Sequence, residues 1–467
     1  MGKVNPWLEE KLKKVRSPKV ISCIVQVKDA SRVDEVKSLL GKIPGVTVGQ
    51  TAFSMIHIVV PPEVVSRVSD IPGVTVSYDK PVGIRSSPFK MDPLVGEFRL
   101  SNIEIPFTPQ EMAIKFGPGV FNFVRSLPNT VYGIAPKFLR GVVKSTSPIS
   151  PNVIIVPTGE TRKMIESPED SVISRTKVCV LDTGIGFPDP RFFPLNKGII
   201  YIDQTIELIP LDGLGHGTWC IACAFGGSYD TRHGLCRGVA DARGGTLGSI
   251  KCLSTLGFGT SWSVIQSMEK AYKWGAKVIS MSLGGELQGG VDDDPECQVI
   301  EQLRDEVIFV VAAGNDGPSG WTIGSPGAAP AAITVGAWSP HYKGLAIFSS
   351  RGPSGKWYEE NPDQWDVDRS KYGDDLIKPD MVAPGGGPVN DGDIPDMIYS
   401  ACRGWTDGMN DLVPGDGLEP MRGTSMATPA AAGLIALGVD RGLVKTSEDV
   451  RRLMMVTSNG KSAETGY

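Results

Sequence analysis

The chain has 467 residues, 41% of them hydrophobic, with 47 Lys+Arg against 52 Asp+Glu and a net charge of −5. That length predicts two or three domains with a sizeable core, and near-balanced charge without a long basic run argues against nucleic acid as a partner. No apolar run approaches the ~18 residues a bilayer span needs, so neither a membrane protein nor, with 56 Gly and 36 Pro in no regular period, a collagen-like chain is expected.

Residues 1–17 mix charges of both signs around Trp7 and Leu8 and lack the apolar stretch of a secretion signal. They read as an N-terminal extension, and a cytoplasmic protein is expected, or an extracellular one if a natural leader has been removed. Residues 18–83 alternate strand-like and helix-like patterns: a strand over 20–27, a helix over 31–40, strands over 46–53 and 55–60, a helix over 62–68 opened by Pro61 and Pro62, and a strand over 74–78. The order β-α-β-β-α-β in so few residues predicts a ferredoxin-like unit. Residues 84–170 are broken by prolines without a sustained period and read as an irregular connector.

From Ser171 the pattern changes. Apolar strands over 177–181, 248–253, 277–281, 307–312 and 332–335 alternate with helical segments over 217–225, 261–274 and 295–305. That alternation predicts an α/β fold, a three-layer, mostly parallel sheet with helices on both faces. Functional groups of such sheets gather at the carboxyl ends of the strands. The eight cysteines are expected to be free, buried thiols; Cys220 and Cys223 fall in the apolar run from Trp219 to Phe225 and have no second pair at zinc-site spacing.

Four motifs stand at such ends or at helix starts. Asp182-Thr183-Gly184 follows the first strand, and Gly215-His216-Gly217-Thr218 opens an apolar helix. Ala313-Gly314-Asn315-Asp316-Gly317 ends the fourth strand. Gly423-Thr424-Ser425-Met426-Ala427-Thr428-Pro429 runs into an Ala/Leu-rich stretch, whose helix is expected to start at Pro429 with Ser425 at its positive end. His57, in a strand, reads as packing; His233 and His341 lie in loops without a partner motif. Together the segments LDTGIG, GHGT, ISMSLGG, VVAAGNDG, FSSRGP, KPDMVAPG and GTSMATP, in this order, resemble the subtilisin-like serine proteases over most of residues 171–467. The unit over 18–83 resembles the inhibitory propeptides that precede those catalytic domains.

The resemblance implies a serine endopeptidase acting through an acyl-enzyme, with Ser425 as nucleophile, His216 as base, Asp182 orienting the imidazole, and Asn315 with the Ser425 N–H meeting the oxyanion. A histidine, with a reference pKa near 6.5, suits a proton taken and returned near neutrality. It implies two substrate-binding edges, Gly257-Phe258-Gly259 and Ser282-Leu283-Gly284, pairing with an extended peptide by β-augmentation. Thr322 to Gly327 resembles the segment lining the primary specificity pocket, where Gly324 leaves room for a large apolar or aromatic side chain and Asp316 at the rim tolerates Lys or Arg. The implied partners are protein or peptide substrates and the chain's own propeptide. The chemistry requires no cofactor. The acidic run Glu359 to Asp368 reads as solvated surface, with structural calcium as the alternative. Self-cleavage is expected at residues 83–90 or near the end of the connector, and the family pattern would run on past Tyr467. The alternatives are a catalytically silent binding scaffold on the same fold and a processing protease selective for few partners.

Overall fold

The computed structural model describes residues 2–14, 20–84, 153–186, 200–203, 212–242, 244, 246–255, 257–402 and 417–457. Most of the proline-rich connector, most of the expected cleavage window and the last ten residues lie outside them.

The N-terminal unit is built on β2 (Ile21–Val27), β3 (Thr47–Ala52), β4 (Met55–Val60) and β5 (Val74–Tyr78), with α2 (Val33–Gly41) and α3 (Val65–Ser69) between them. The strands pair antiparallel in the spatial order β5-β2-β4-β3. Strand alternation divides their side chains: Cys23 and Val25 pack under the helices with Val36, Leu40, Val65 and Val68, whereas Ile24 points to the opposite face. The first residues, read as an N-terminal extension, join the same sheet. β1 (Lys3–Val4) adds parallel to β5, and α1 (Pro6–Lys14) follows, capped by the Asn5 carboxamide, which accepts from the N–H groups of Trp7 and Leu8.

The larger unit carries an eight-stranded sheet in the order β18 (Gly344–Leu345), β17 (Ile333–Ser339), β16 (Ile308–Ala312), β14 (Val278–Met281), β8 (Val178–Asp182), β12 (Leu247–Lys251) and β9 (Ile200–Asp203), with β19 (Met381–Pro384) beside β17. Every pairing is parallel except β17 with β18. Such a sheet is buried on both faces, so its strands are apolar at consecutive positions. In β8, Val178 and Val180 pack with α5 (His216–Phe225) and α10 (Thr424–Asp440), while Cys179 and Leu181 pack with α6 (Ser261–Trp274) and α7 (Pro295–Gln302) on the other side.

Residues 154–164 differ from the irregular connector expected there. β7 (Ile154–Pro157) pairs parallel with β20 (Asp396–Ala401), which also holds β21 (Leu418–Met421), and α4 (Thr158–Met164) follows. The KPD segment closes the far end of the sheet: Asp380 takes Lys378 at 2.8 Å and Arg451 of α11 (Ser447–Thr457) at 2.9 Å, all three buried.

The two units meet along α6 and β6 (Pro81–Ile84). Asp79 accepts from the Trp262 N–H at 2.8 Å, Glu269 accepts from the Phe53 N–H at 2.9 Å, and His57 stacks on Trp262 with centroids 5.3 Å apart. His57 also shares a 2.7 Å hydrogen bond with Ser22, so this strand histidine belongs to the seam between the units.

Candidate active site

β8 delivers Asp182 at its carboxyl end, and α5 begins at His216. His216 Nδ1 lies 2.8 Å from Asp182 Oδ1, both side chains being buried. Donation from Nδ1–H to the carboxylate fixes the tautomer in which Nε2 is an acceptor, and among the described residues Nε2 has no hydrogen-bond partner. The helix start that aims His216 is held by Asp212, which the sequence reading passed over. Asp212 accepts from the Gly215 N–H, from the Thr218 N–H and hydroxyl at 2.7 Å each, and from the Thr183 hydroxyl at 2.8 Å. Thr183 in turn accepts from the Gly217 N–H at 2.9 Å. A Cβ on Gly217 would fall 2.3 Å from the Gly184 carbonyl, so only glycine lets α5 sit this close to the end of β8. Burial pushes the Asp212 carboxyl up; Thr218, Gly215 and the charge of Lys251 pull against it.

Ser425 lies in the first turn of α10, which starts at Thr424, five residues before the expected Pro429. Pro429 sits inside the helix and has no N–H for the carbonyl four residues back, which is that of Ser425. Two side chains take that carbonyl instead: the Ser282 hydroxyl at 2.9 Å and the Cys220 thiol at 3.6 Å. The Ser425 hydroxyl donates to the Ser282 carbonyl at 3.1 Å and is not hydrogen-bonded to His216. Cys220, one helical turn beyond His216, also lies 3.9 Å from His216 Nδ1; burial and the charge of Asp182 push its thiol well above the ordinary range.

Asn315 follows β16. Its Oδ1 accepts from the Thr424 N–H at 2.9 Å and the Thr424 hydroxyl at 3.0 Å. With its oxygen committed to these donors, the amide NH2 is the group Asn315 can offer to an anion next to Ser425. The structure therefore gathers an oriented imidazole, a serine hydroxyl at a helix N-terminus and an asparagine donor, the parts of an acyl-transfer site.

A model of the Subtilase family matches residues 174–467. The chain belongs to that family. This subtilase is 32% identical over 301 residues to pyrolysin of Pyrococcus furiosus, an alignment covering 52% of the chain and 19% of pyrolysin. It is 31% identical over 297 residues to the serine protease AprX of Bacillus subtilis, covering 59% of the chain and 60% of AprX. It is 32% identical over 172 residues to the minor extracellular protease Vpr of Bacillus subtilis, covering 34% of the chain and 20% of Vpr. The matched region thus spans less than two thirds of each of these relatives.

The two edges read as substrate-binding in the sequence are occupied by the chain itself. β6 lies between β13 (Phe258–Thr260) and β15 (Leu283–Gly284), antiparallel to both. Val82 pairs with Gly259, Gly83 with Phe258 and Gly284, Ile84 with Leu283, and the Ile84 N–H donates to the Gly257 carbonyl at 3.0 Å. Beyond β15, Gly285 and Ser325 exchange two backbone hydrogen bonds, and the neighbouring Gly324 is buried with its N–H on the Ala313 carbonyl. Asp316 is exposed, its N–H bonded to the Ser350 hydroxyl.

The acidic run is solvated as expected, with Glu359, Glu360, Asp363 and Asp366 exposed, but it is helical rather than loop. It forms α8 (Lys356–Glu360) and α9 (Pro362–Tyr372), pinned by Asp368, which is buried and accepts from the Tyr358 hydroxyl at 2.5 Å and from Gln364 at 2.8 Å. Among the described residues, its carboxylates do not form a cluster able to share a cation. The eight cysteines are free and buried.

Proposed function

We propose that this subtilase is a serine endopeptidase silenced by its own N-terminal unit, a ferredoxin-like propeptide. The buried Asp182–His216 pair, 2.8 Å apart with Nε2 unpartnered, carries the catalytic half of this reading. Rotation of the Ser425 hydroxyl from the Ser282 carbonyl toward Nε2 lets His216 take its proton as the oxygen attacks a peptide carbonyl. The Asn315 amide and the Ser425 N–H stabilise the oxyanion, and His216 then protonates the leaving amine as the acyl-enzyme forms; water completes the cycle by the same route. No cofactor takes part in this scheme.

The silencing half rests on β6, which fills the path an extended substrate needs through main-chain pairing alone. A bound strand of the chain's own keeps foreign peptides out until it is cut or leaves. Cleavage follows shortly after Ile84, within residues 84–90. Protein and peptide substrates with a large apolar or aromatic residue before the cut bond are preferred, because Gly324 leaves the wall without a side chain.

Mass spectrometry of the incubated protein beside its Ser425→Ala form tests the proposal. A fragment boundary just after β6 in the parent, absent in the variant, is the expected result. The same fragments from both proteins would remove Ser425 from the chemistry. An intact parent that also resists an organophosphonate serine probe would favour a silent scaffold.

A further inference from the structure

Lys80 stands one residue before β6, and its ammonium is sealed against two carboxylates of the hydrolase unit. Its Nζ pairs with Asp294 Oδ2 and lies 2.8 Å from Glu296 Oε2, with side-chain exposures of 1%, 0% and 0%. Neither acid has a part in the acyl-transfer scheme. Asp294 caps α7 with Oδ1, which accepts from the N–H groups of Glu296 and Cys297 and from the Ser325 hydroxyl at 2.8 Å. Glu296 Oε2 accepts from Ser261 at 3.1 Å and from the same Ser325 hydroxyl at 3.2 Å, while Oε1 is buried and, among the described residues, has no partner.

Two buried carboxylates sharing one serine hydroxyl need a cation, since charge taken out of water without a counter-ion is strongly disfavoured. Here the cation is supplied by the strand lying in the substrate path. Burial works against the Lys80 charge, but Asp294 and Glu296 outweigh it and hold its pKa above the ordinary lysine value. Burial also pushes the Glu296 carboxyl up, with Lys80 pulling the other way.

The backbone fixes the register. The Lys80 carbonyl accepts from the Ser261 N–H at 2.9 Å, and the Ile84 N–H donates to Gly257 at 3.0 Å. A Cβ on Gly285 would come within 2.8 Å of the Pro81 carbonyl, so glycine there lets the strand pass close enough for the lysine to reach the acids.

We infer that Asp294 and Glu296 form a specificity subsite for a lysine side chain of an extended substrate, four residues ahead of the residue whose N–H meets the Gly257 carbonyl. The inference rests on the reading of β6 as occupying the substrate path. The site favours a compact ammonium that reaches both acids at once; a guanidinium is larger, and an acidic residue there would add a third negative charge.

The test uses the full chain, incubated until it cuts itself, and a peptide series carrying Lys, Arg, Ala or Glu at successive positions upstream of the cut bond. At one position only, Lys should exceed Ala by about tenfold in kcat/KM, the scale of a charge-assisted hydrogen bond, with Arg weaker and Glu poorest. In Asp294→Asn/Glu296→Gln the Lys-to-Ala ratio should fall to about one. A ratio near one at every position in the parent, with Ala peptides still cut, overturns the subsite and leaves the hydrolase reading standing. A protein that cuts no peptide overturns both. Lys80→Ala supplies a second measurement, with the substitution outside the unit that holds the acids: the grip of β6 on its two flanking strands should weaken, so activity toward the Lys peptide should appear earlier than in the parent. An unchanged lag counts against the subsite.

Discussion

Ser282 and Ser425 are hydrogen-bonded twice, each hydroxyl donating to the other's carbonyl, at 2.9 and 3.1 Å. The first bond exists because Pro429 cannot serve the Ser425 carbonyl from within α10. Pro429→Ala would restore that N–H and compete with Ser282 and Cys220 for the same oxygen. The expected outcome is a higher melting temperature, from better helix propensity, together with a kcat loss of about tenfold or more from a displaced nucleophile. Thermal unfolding and peptide kinetics on one preparation check both signs.

Asn315 has two jobs that substitution can separate. Asn315→Leu removes the acceptor that holds Thr424 as well as the amide donor, whereas Asn315→Asp keeps the acceptor and loses only the donor. Both should lower kcat by about 100- to 1000-fold, the range known for the oxyanion asparagine of subtilisin itself. Only the leucine variant should also lose melting temperature. Equal kcat in Asn315→Asp and the parent would dismiss the oxyanion role.

Asp212 is a positioning residue, acting on His216 through the start of α5. Asp212→Asn puts an NH2 group among donors that all expect an acceptor. A stability loss of about 2–3 kcal/mol is expected, along with a fall in kcat that exceeds any change in KM. Denaturant unfolding gives the first quantity and steady-state kinetics the second.

Asp440 ties the end of α10 to residues 174–176. Burial opposes its charge, but the backbone N–H groups of Arg175, Thr176 and Ser174 prevail and hold its carboxyl at about 2. Because the folded pKa is depressed, the stabilisation is present at neutral pH. It is lost as pH falls from the ordinary carboxylate value of about 3.9 toward 2. Asp440→Asn should therefore cost about 1–2 kcal/mol at pH 7 and almost nothing near pH 2. Unfolding free energies at the two pH values measure the difference.

The candidate site was legible because its residues sit inside short contiguous motifs with fixed local geometry. Asp182 ends an apolar strand, His216 opens an apolar helix, and each reading needs only a few neighbouring residues. Asp212 left a weaker trace, a carboxylate four positions before the histidine. The register of β6 between β13 and β15 left none, because Val82 to Ile84 pair through backbone groups that carry no sequence signal. The pairing of Lys80 with Asp294 and Glu296 joins segments more than 200 positions apart, and only the fold brings them together. The start of α10 was misplaced because Pro429 has the usual look of a first-turn proline, while the real start needed Gly423. Residues 154–157 were read as connector because a short strand has no pattern of its own until β20 lies beside it.

The buried thiols give this molecule a built-in record of its own opening. Burial pushes Cys23, Cys179, Cys220, Cys223, Cys252 and Cys297 up, so the nucleophilic thiolate is scarce in the folded state. Alkylation then reports exposure, segment by segment. Cys23 lies in the N-terminal sheet and the other seven in the larger unit. Labelling at Cys23 that outpaces the rest would mark the N-terminal unit loosening while the larger unit stays closed; labelling of all eight in step would mean the two units unfold as one.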